Sequence, residues 1–387
     1  MINIEKKVSC CGCAACAQAC PKHCIEMRED MEGFLYPHVK VDKCINCGIC
    51  EKLCPVSNKE QKLKDELQAF AAYNLDEVER MQSSSGGIFS LLAKQVLLAK
   101  GVVFGAAMSE DCYSVHHIKV ESLDDLHRLR GSKYLQSDTG TTYVQAQQEL
   151  EKDRMVLYSG TPCQIGGLKA YLRKEYDNLI CIDVICHGTP SPKLWKKYVR
   201  YRENCAGAAV QQTFFRHKKY GWKMYAVLFE FTNSTTYKQI LFKDLFIQMF
   251  LQNICLRPSC YSCAFKATQD KADISLADLW GAEAICPELD DDKGLSLVLI
   301  HSAKGRKVYN SIKNDVVSKQ VEIGRIILSN RAITESCAKP DIRDSFMEDM
   351  DNLTIDQLGK KYLKAPSLYA RVRIWLSINI KKRIKKR

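Results

Sequence analysis

The sequence predicts two folded parts: a small α+β cysteine module followed by a larger α/β domain with an antiparallel insertion. Three observations predict them. Ten of the twenty cysteines fall between Cys10 and Cys54, and the other ten are scattered over the rest of the 387 residues. From Glu77 onward, short apolar runs alternate with Gly/Ser/Thr/Pro turns and amphipathic helical segments, the grammar of an α/β domain. Between about Gln211 and Leu256 the pattern changes, with segments such as Met224–Phe231 that suggest antiparallel strands. A chain of this length exceeds one ordinary domain.

The cysteine module comes first. Cys10, Cys13, Cys16 and Cys20-Pro21 are spaced C-x2-C-x2-C-x3-C-P, and Cys44, Cys47, Cys50 and Cys54-Pro55 repeat that spacing. Three thiolates at close intervals wrap one iron-sulfur cubane, while the fourth, ahead of proline, reaches the neighbouring cubane. Residues 1–60 are therefore expected to form a ferredoxin-like module with two 4Fe-4S clusters. Cluster one takes Cys10, Cys13, Cys16 and Cys54; cluster two takes Cys44, Cys47, Cys50 and Cys20. Structural zinc pairs one C-x2-C with another a dozen or more residues away and does not explain two complete runs. Cys11 and Cys24 fall outside the pattern and read as small apolar fillers. Residues 61–76 read as a connector.

Composition narrows the remainder. Met1–Val8 is short, charged and without an apolar core, so no signal peptide is expected, and reduced thiols in the cytoplasm are. The most apolar long stretch, Ile88–Met108, is broken by Lys94, Gln95 and Lys100 and reads as a helix followed by a strand. The net charge is +12, but Arg371–Arg387 holds eight Lys or Arg and no acid, leaving +4 for the body. Nucleic-acid binding is not expected.

Within the larger domain, residues 77–350, four stretches carry candidate chemistry. Ser85-Gly86-Gly87 stands at a helix start, where free N–H groups suit a phosphate and where Ser-Gly also serves as a simple cap. Gly131-Ser132-Lys133-Tyr134 offers a cation, a hydroxyl and an aromatic ring to a planar anionic ligand, or is a surface loop. Gly160-Thr161-Pro162-Cys163 and Cys186-His187 each follow an expected strand, where open α/β sheets place ligands. Cys163 and Cys186, with Cys260 and Cys263 of a further C-x2-C, could jointly hold a third metal site or be ordinary buried thiols. His187 is a candidate proton donor. Asp278 could face a cofactor from a strand end or cap a turn.

Taken together, SSSGGIFSLL from Ser83, LRGSKYLQS from Leu129, YSGTPCQIGGLKAYL from Tyr158, DVICHGTPSPKLWKKY from Asp183, CYSCAF from Cys260, ADISLADLWG from Ala272 and RDSFMEDM from Arg343 resemble the coenzyme F-420 hydrogenase/dehydrogenase beta-subunit family. The resemblance implies FAD in the α/β domain, with Ser85 to Gly87, Gly131 to Tyr134 and Gly160 to Cys163 as its contacts. It implies electron transfer between that flavin, the clusters and a two-electron partner, either the deazaflavin coenzyme or another small molecule. His187 or Tyr134 is the expected proton source. It also implies a redox partner protein or small-molecule donor, and similarity to accessory oxidoreductases of polysaccharide pathways. The alternatives are a non-catalytic electron-transfer subunit and an iron-sulfur redox sensor.

Residues 351–387 are expected to be a helical segment with a basic tail. In the tail, Trp375 and Ile378 sit among cations that could hold it to the inner face of an anionic membrane, or leave it as a solvated end.

Overall fold

The computed structural model describes residues 1–58, 67–266 and 272–364. The basic tail therefore lies outside the described residues. Among those described, no helix is long and apolar enough to cross a membrane.

The strands, in chain order, are β1 (Ile25–Glu29), β2 (Leu35–Val39), β3 (Gln68–Asn74), β4 (Val102–Met108), β5 (Val115–Val120), β6 (Ser137–Asp138) and β7 (Val156–Gly160). They continue with β8 (Leu179–Val184), β9 (Val210–His217), β10 (Ala226–Phe231), β11 (Thr236–Ile240), β12 (Ile274–Asp278), β13 (Ser296–Ile300) and β14 (Val316–Gln320). Nine of them form one mixed sheet in the order β14-β3-β13-β12-β8-β7-β4-β5-β6. Its centre, β12, β8, β7 and β4, is parallel, and both flanks contain antiparallel pairs. The parallel strands bury both faces, which is why they read as continuous apolar runs such as Leu179–Ile182. β9, β10 and β11 form a separate antiparallel sheet.

The segment 61–76, expected to be a connector, contains β3, which pairs with β13 on one side and β14 on the other. Its alanines are weak strand formers, so the segment carries no strand signal. They are required by packing: Ala71 and Ala72 are fully buried, and the turn at Gly86 crosses so close that a Cβ there would stand 2.4 Å from the Ala72 carbonyl oxygen.

The C-terminal boundary also moves. Helix Ile355–Tyr362 packs Ile355, Leu358 and Tyr362 into the core that holds Phe346 of helix Arg343–Asp349 and Trp195 of helix Pro192–Ala206. Residue 351 therefore does not separate two bodies.

The cysteine module shares a core with the larger domain, with Cys13, Ala15 and Cys16 packed with Tyr143, Ala146, Ile165 and Leu168. Gly167 makes this approach possible, since a Cβ there would lie 2.8 Å from Cys13 Cβ and 2.9 Å from the Tyr143 hydroxyl. On the opposite side, Ser191 Oγ donates to Glu32 O at 2.5 Å and Lys193 Nζ to Met31 O at 3.0 Å, pinning the β1–β2 hairpin to the start of helix Pro192–Ala206.

Candidate redox site

The two cysteine runs fold alike. Gly12 and Ala14 have positive φ in the first, Asn46 and Gly48 at the matching places in the second, and each run leads into a one-turn helix, Ala15–Gln18 or Ile49–Lys52. These left-handed residues reverse the backbone so that successive thiols face one side. Cys20, Cys44, Cys47 and Cys50 line one cavity, and Cys24 joins them with its sulfur 3.4 Å from that of Cys20. Burial pushes the Cys16 thiol up to about 12, and the neighbouring Cys10, Cys54 and Cys50 add to the shift. Bare thiolates are disfavoured there, and thiolates around metal cations are the form such a site stabilises.

A second cavity, of about 60 Å³, lies where the module meets the ends of β7 and β8. Cys163, Cys186, Cys260 and Cys263 all line it, so the fold brings together all four thiols of the candidate third site. Cys163 is held at the start of helix Pro162–Leu172 by the Thr161/Gln164 capping box, and Cys186 follows β8. Cys260 lies in the single turn Pro258–Ser262 and Cys263 just after it. They line a space rather than a point: among the described residues, no three His, Cys, Asp or Glu side chains close on a single-ion position. Burial pushes Cys260 up to about 11; for Cys163 the contact with Cys11 comes first and burial second.

Cys11, read as a filler, is therefore a member of this cavity, one residue from Cys10. Its sequence position gave no sign of this. Lys266, also unanticipated, donates to Cys186 O at 2.5 Å and Ala332 O at 2.6 Å.

His187 reaches the same cavity. Its Nε2 lies 2.7 Å from Asn253 Oδ1, and the Cys337 thiol donates to its carbonyl at 2.9 Å. Burial lowers its pKa, so the ring is neutral, and Asn253 Oδ1 accepts a hydrogen bond from the Nε2–H tautomer. Tyr134 does not line the cavity; its ring stacks on Phe250 at 4.9 Å, and the His187 ring meets Phe250 edge-on at 5.1 Å. The two candidate proton sources thus share a wall without sharing a hydrogen bond.

Of the three glycine stretches, the first two are in contact. Ser132 donates from N and Oγ to Ser84 Oγ, at 2.6 and 2.8 Å, joining the second stretch to the first. Gly160 ends β7 beside His117, whose Nε2 donates to Ser159 O at 3.0 Å and whose Nδ1 accepts from Ser137 Oγ at 2.7 Å. Gly86 N donates to Ser296 Oγ at 2.9 Å, and Ser85 Oγ to Leu295 O at 2.9 Å, so this turn spends its polar groups on the sheet. Gly87 has φ +83° and caps helix Ile88–Leu98. Gly131 has φ +79° with open space where a Cβ would be. Lys133 donates to Arg128 O and Arg130 O, and burial lowers its pKa to about 7.

Arg216 is the unanticipated residue beside the second stretch. Its Nη1 donates to Asp278 Oδ2 at 2.5 Å and to the Tyr134 hydroxyl at 3.3 Å, yet among the described residues its buried Nε and Nη2 have no acceptor. Asp278 also accepts from Trp222 Nε1 at 2.9 Å, so it is a counter-ion rather than a turn cap. Buried donors left without acceptors beside an aromatic wall fit an acceptor-rich planar ligand.

Residues 153–324 match the C-terminal region of the family described as "Coenzyme F420 hydrogenase/dehydrogenase, beta subunit", and residues 9–58 match the "4Fe-4S dicluster domain". The "Coenzyme F420-dependent sulfite reductase" of Methanocaldococcus jannaschii is 26% identical over 164 residues, covering 41% of this chain and 24% of that protein. A component of the F(420)H(2) dehydrogenase of Methanosarcina mazei is 27% identical over 186 residues, covering 45% of this chain and 51% of that one. The "Ferredoxin 7Fe" of Hydrogenibacillus schlegelii is 35% identical over 65 residues, covering 16% of this chain and 77% of that protein. The chain spans about a quarter and about half the length of the first two. With its doubled cysteine run ahead of the matched α/β region, the chain joins a 4Fe-4S dicluster domain to a region of the coenzyme F420 hydrogenase/dehydrogenase beta-subunit family.

Proposed function

We propose that this chain is an FAD-dependent iron-sulfur oxidoreductase that passes single electrons through its cubanes and exchanges electron pairs with a small-molecule carrier, a deazaflavin coenzyme or a molecule of similar redox chemistry. The observation that carries this reading is the placement of Cys10 and Cys11. Cys10 belongs to the first cysteine run, while the next residue along the chain lines the cavity with Cys163, Cys186, Cys260 and Cys263. The thiols that would hold a cluster of the run and those that would hold one in the cavity are thus linked through the adjacent residues Cys10 and Cys11.

FAD, when bound, supplies the conversion between one-electron and hydride chemistry that cubanes alone lack. Gly131 to Tyr134 and Gly160 to Cys163 would hold it, with the Ser85 to Gly87 stretch bracing Ser132 through Ser84 and with Arg216 offering its free donors to a ring carbonyl or nitrogen beside Tyr134. His187, neutral and oriented by Asn253, keeps a proton at Nε2 next to the thiol-lined cavity. Lys133, with its pKa lowered to about 7, is a second group able to change protonation near neutrality. The C-terminal tail is proposed to add a salt-sensitive contact with anionic lipid.

The test is an absorption spectrum of the anaerobically purified protein before and after acid precipitation. Flavin released into the supernatant supports the oxidoreductase. Cluster absorbance with no flavin supports the second reading, a non-catalytic electron-transfer subunit. That reading is favoured by one observation, the wedging of Tyr134 between Phe215 and Phe250 away from the cavity.

A further inference from the structure

The guanidinium of Arg257 is buried between the cysteine module and the α/β domain, with 1% of the residue exposed. Nε donates to Cys10 O at 3.0 Å, Nη1 to Gln136 Oε1 at 2.9 Å and Nη2 to Leu35 O at 2.9 Å. Nη2 also points at Cys10 Sγ, 3.8 Å away. The Tyr36 ring covers the group at 4.2 Å. Among the described residues every one of these partners is a carbonyl, an amide, a thiol or a π face, and none is a carboxylate. A cation removed from water with only neutral partners is costly, and the cost falls when an anion is supplied at one of them. The partner able to become anionic is Cys10. A cubane held by four thiolates is net negative in both redox states, and one unit more so when reduced.

We propose that Arg257 is the built-in counter-charge of cluster one, a positioning residue that holds the Cys10 thiolate by a charge-assisted hydrogen bond and raises that cluster's reduction potential. This rests on the assignment of Cys10 to cluster one. Because the guanidinium stabilises the more negative state, it favours the step in which one electron leaves cluster two, oxidising it, and enters cluster one, with no proton moved. Arg257 also lines the thiol-lined cavity, so the electron is held at the end of the module that faces the α/β domain.

The experiment is an anaerobic redox titration of the full-length holoprotein followed by EPR, comparing wild type with Arg257→Met. The signal under study is the one absent from Cys13→Ser. In Arg257→Met its reduced-to-oxidised ratio at a fixed poise should fall at least tenfold, a downward shift of about 59 mV for one electron, while the other ferredoxin-type signal stays in place. Arg257→Lys should recover part of the shift by keeping the charge. Gln136→Glu sets a carboxylate against the guanidinium and should lower the same potential with the arginine in place, so the test survives if Arg257→Met does not fold. Unmoved potentials in Gln136→Glu, or in an Arg257→Met protein that retains both clusters, would overturn the role of Arg257. A wild-type protein without two ferredoxin-type signals would instead overturn the cluster assignment on which the role depends.

Discussion

Arg343 grips the carboxylate of Glu32 with both terminal nitrogens, Nη1 at 2.8 Å and Nη2 at 2.6 Å, across 311 residues of sequence. The arginine side chain is 4% exposed and the glutamate 17%, so the pair is largely out of water, and Arg343 also donates to Leu256 O. It ties the β1–β2 hairpin of the cysteine module to helix Arg343–Asp349. Removing one partner leaves the other charge buried and alone.

Glu32→Gln is therefore expected to destabilise the protein by about 3 kcal/mol, less than the full cost of breaking a buried pair because the glutamate keeps some water. The loosening should show first as faster hydrogen exchange in the hairpin, read by mass spectrometry. Exchange in the hairpin equal to wild type would show that its other contacts, with Ser191, Lys193, Lys196 and Arg257, hold it without this pair.

Gly167 sets the distance between the module and helix Pro162–Leu172. A methyl group there would stand 3.1 Å from Cys13 Sγ as well as 2.8 Å from its Cβ. Gly167→Ala should displace the Cys13 loop, lower retained iron by about half of the ferredoxin-type complement of about eight atoms, and leave the signal of cluster two intact. Full iron retention in Gly167→Ala would mean that the loop can shift without losing its cluster.

The doubled cysteine run, the helix–strand alternation and the antiparallel stretch were legible because each depends on local spacing or period. Val156–Gly160 and Leu179–Val184 carry their own signal as apolar runs bounded by turns. β3 does not, since its small residues reflect what crosses over it and the crossing chain comes from elsewhere. The candidate site divides in the same way. Cys163 and Cys186 announce themselves after strands. Cys11, Arg216 and Arg257 acquire meaning only from partners 62 to 247 residues away, such as Asp278 for Arg216 and Cys10 for Arg257. No window of sequence contains both ends of such a contact.

The thiol-lined cavity yields a count. If Cys163, Cys186, Cys260 and Cys263 hold a third cubane, the wild-type protein should contain about twelve irons rather than about eight. Cys186→Ser should remove about four of them while the two ferredoxin-type signals persist. About eight irons in wild type, unchanged by Cys186→Ser, would leave these four as ordinary half-buried thiols.

The last expectation concerns pH. Burial lowers the pKa of His117 from 6.5 to about 4, and the neutral ring is fixed by Ser137 and by the carbonyl of Ser159 at the end of β7. A group whose protonated form is disfavoured in the folded state stabilises the fold above its unfolded pKa. That contribution is lost as pH falls, because the unfolded chain binds the proton first. The window runs from about pH 6.5 down to about pH 4, and at about 1.4 kcal/mol per unit the loss is on the order of 3 kcal/mol. Denaturant unfolding of wild type and His117→Gln between pH 7.5 and pH 4.5, chosen as about one unit above and half a unit inside that window, should show the variant less stable at the upper end and the difference shrinking toward the lower. Glutamine keeps a donor for Ser159 O and cannot take up a proton. A difference that stays constant across the range would show that His117 contributes packing and hydrogen bonds without a proton-linked term.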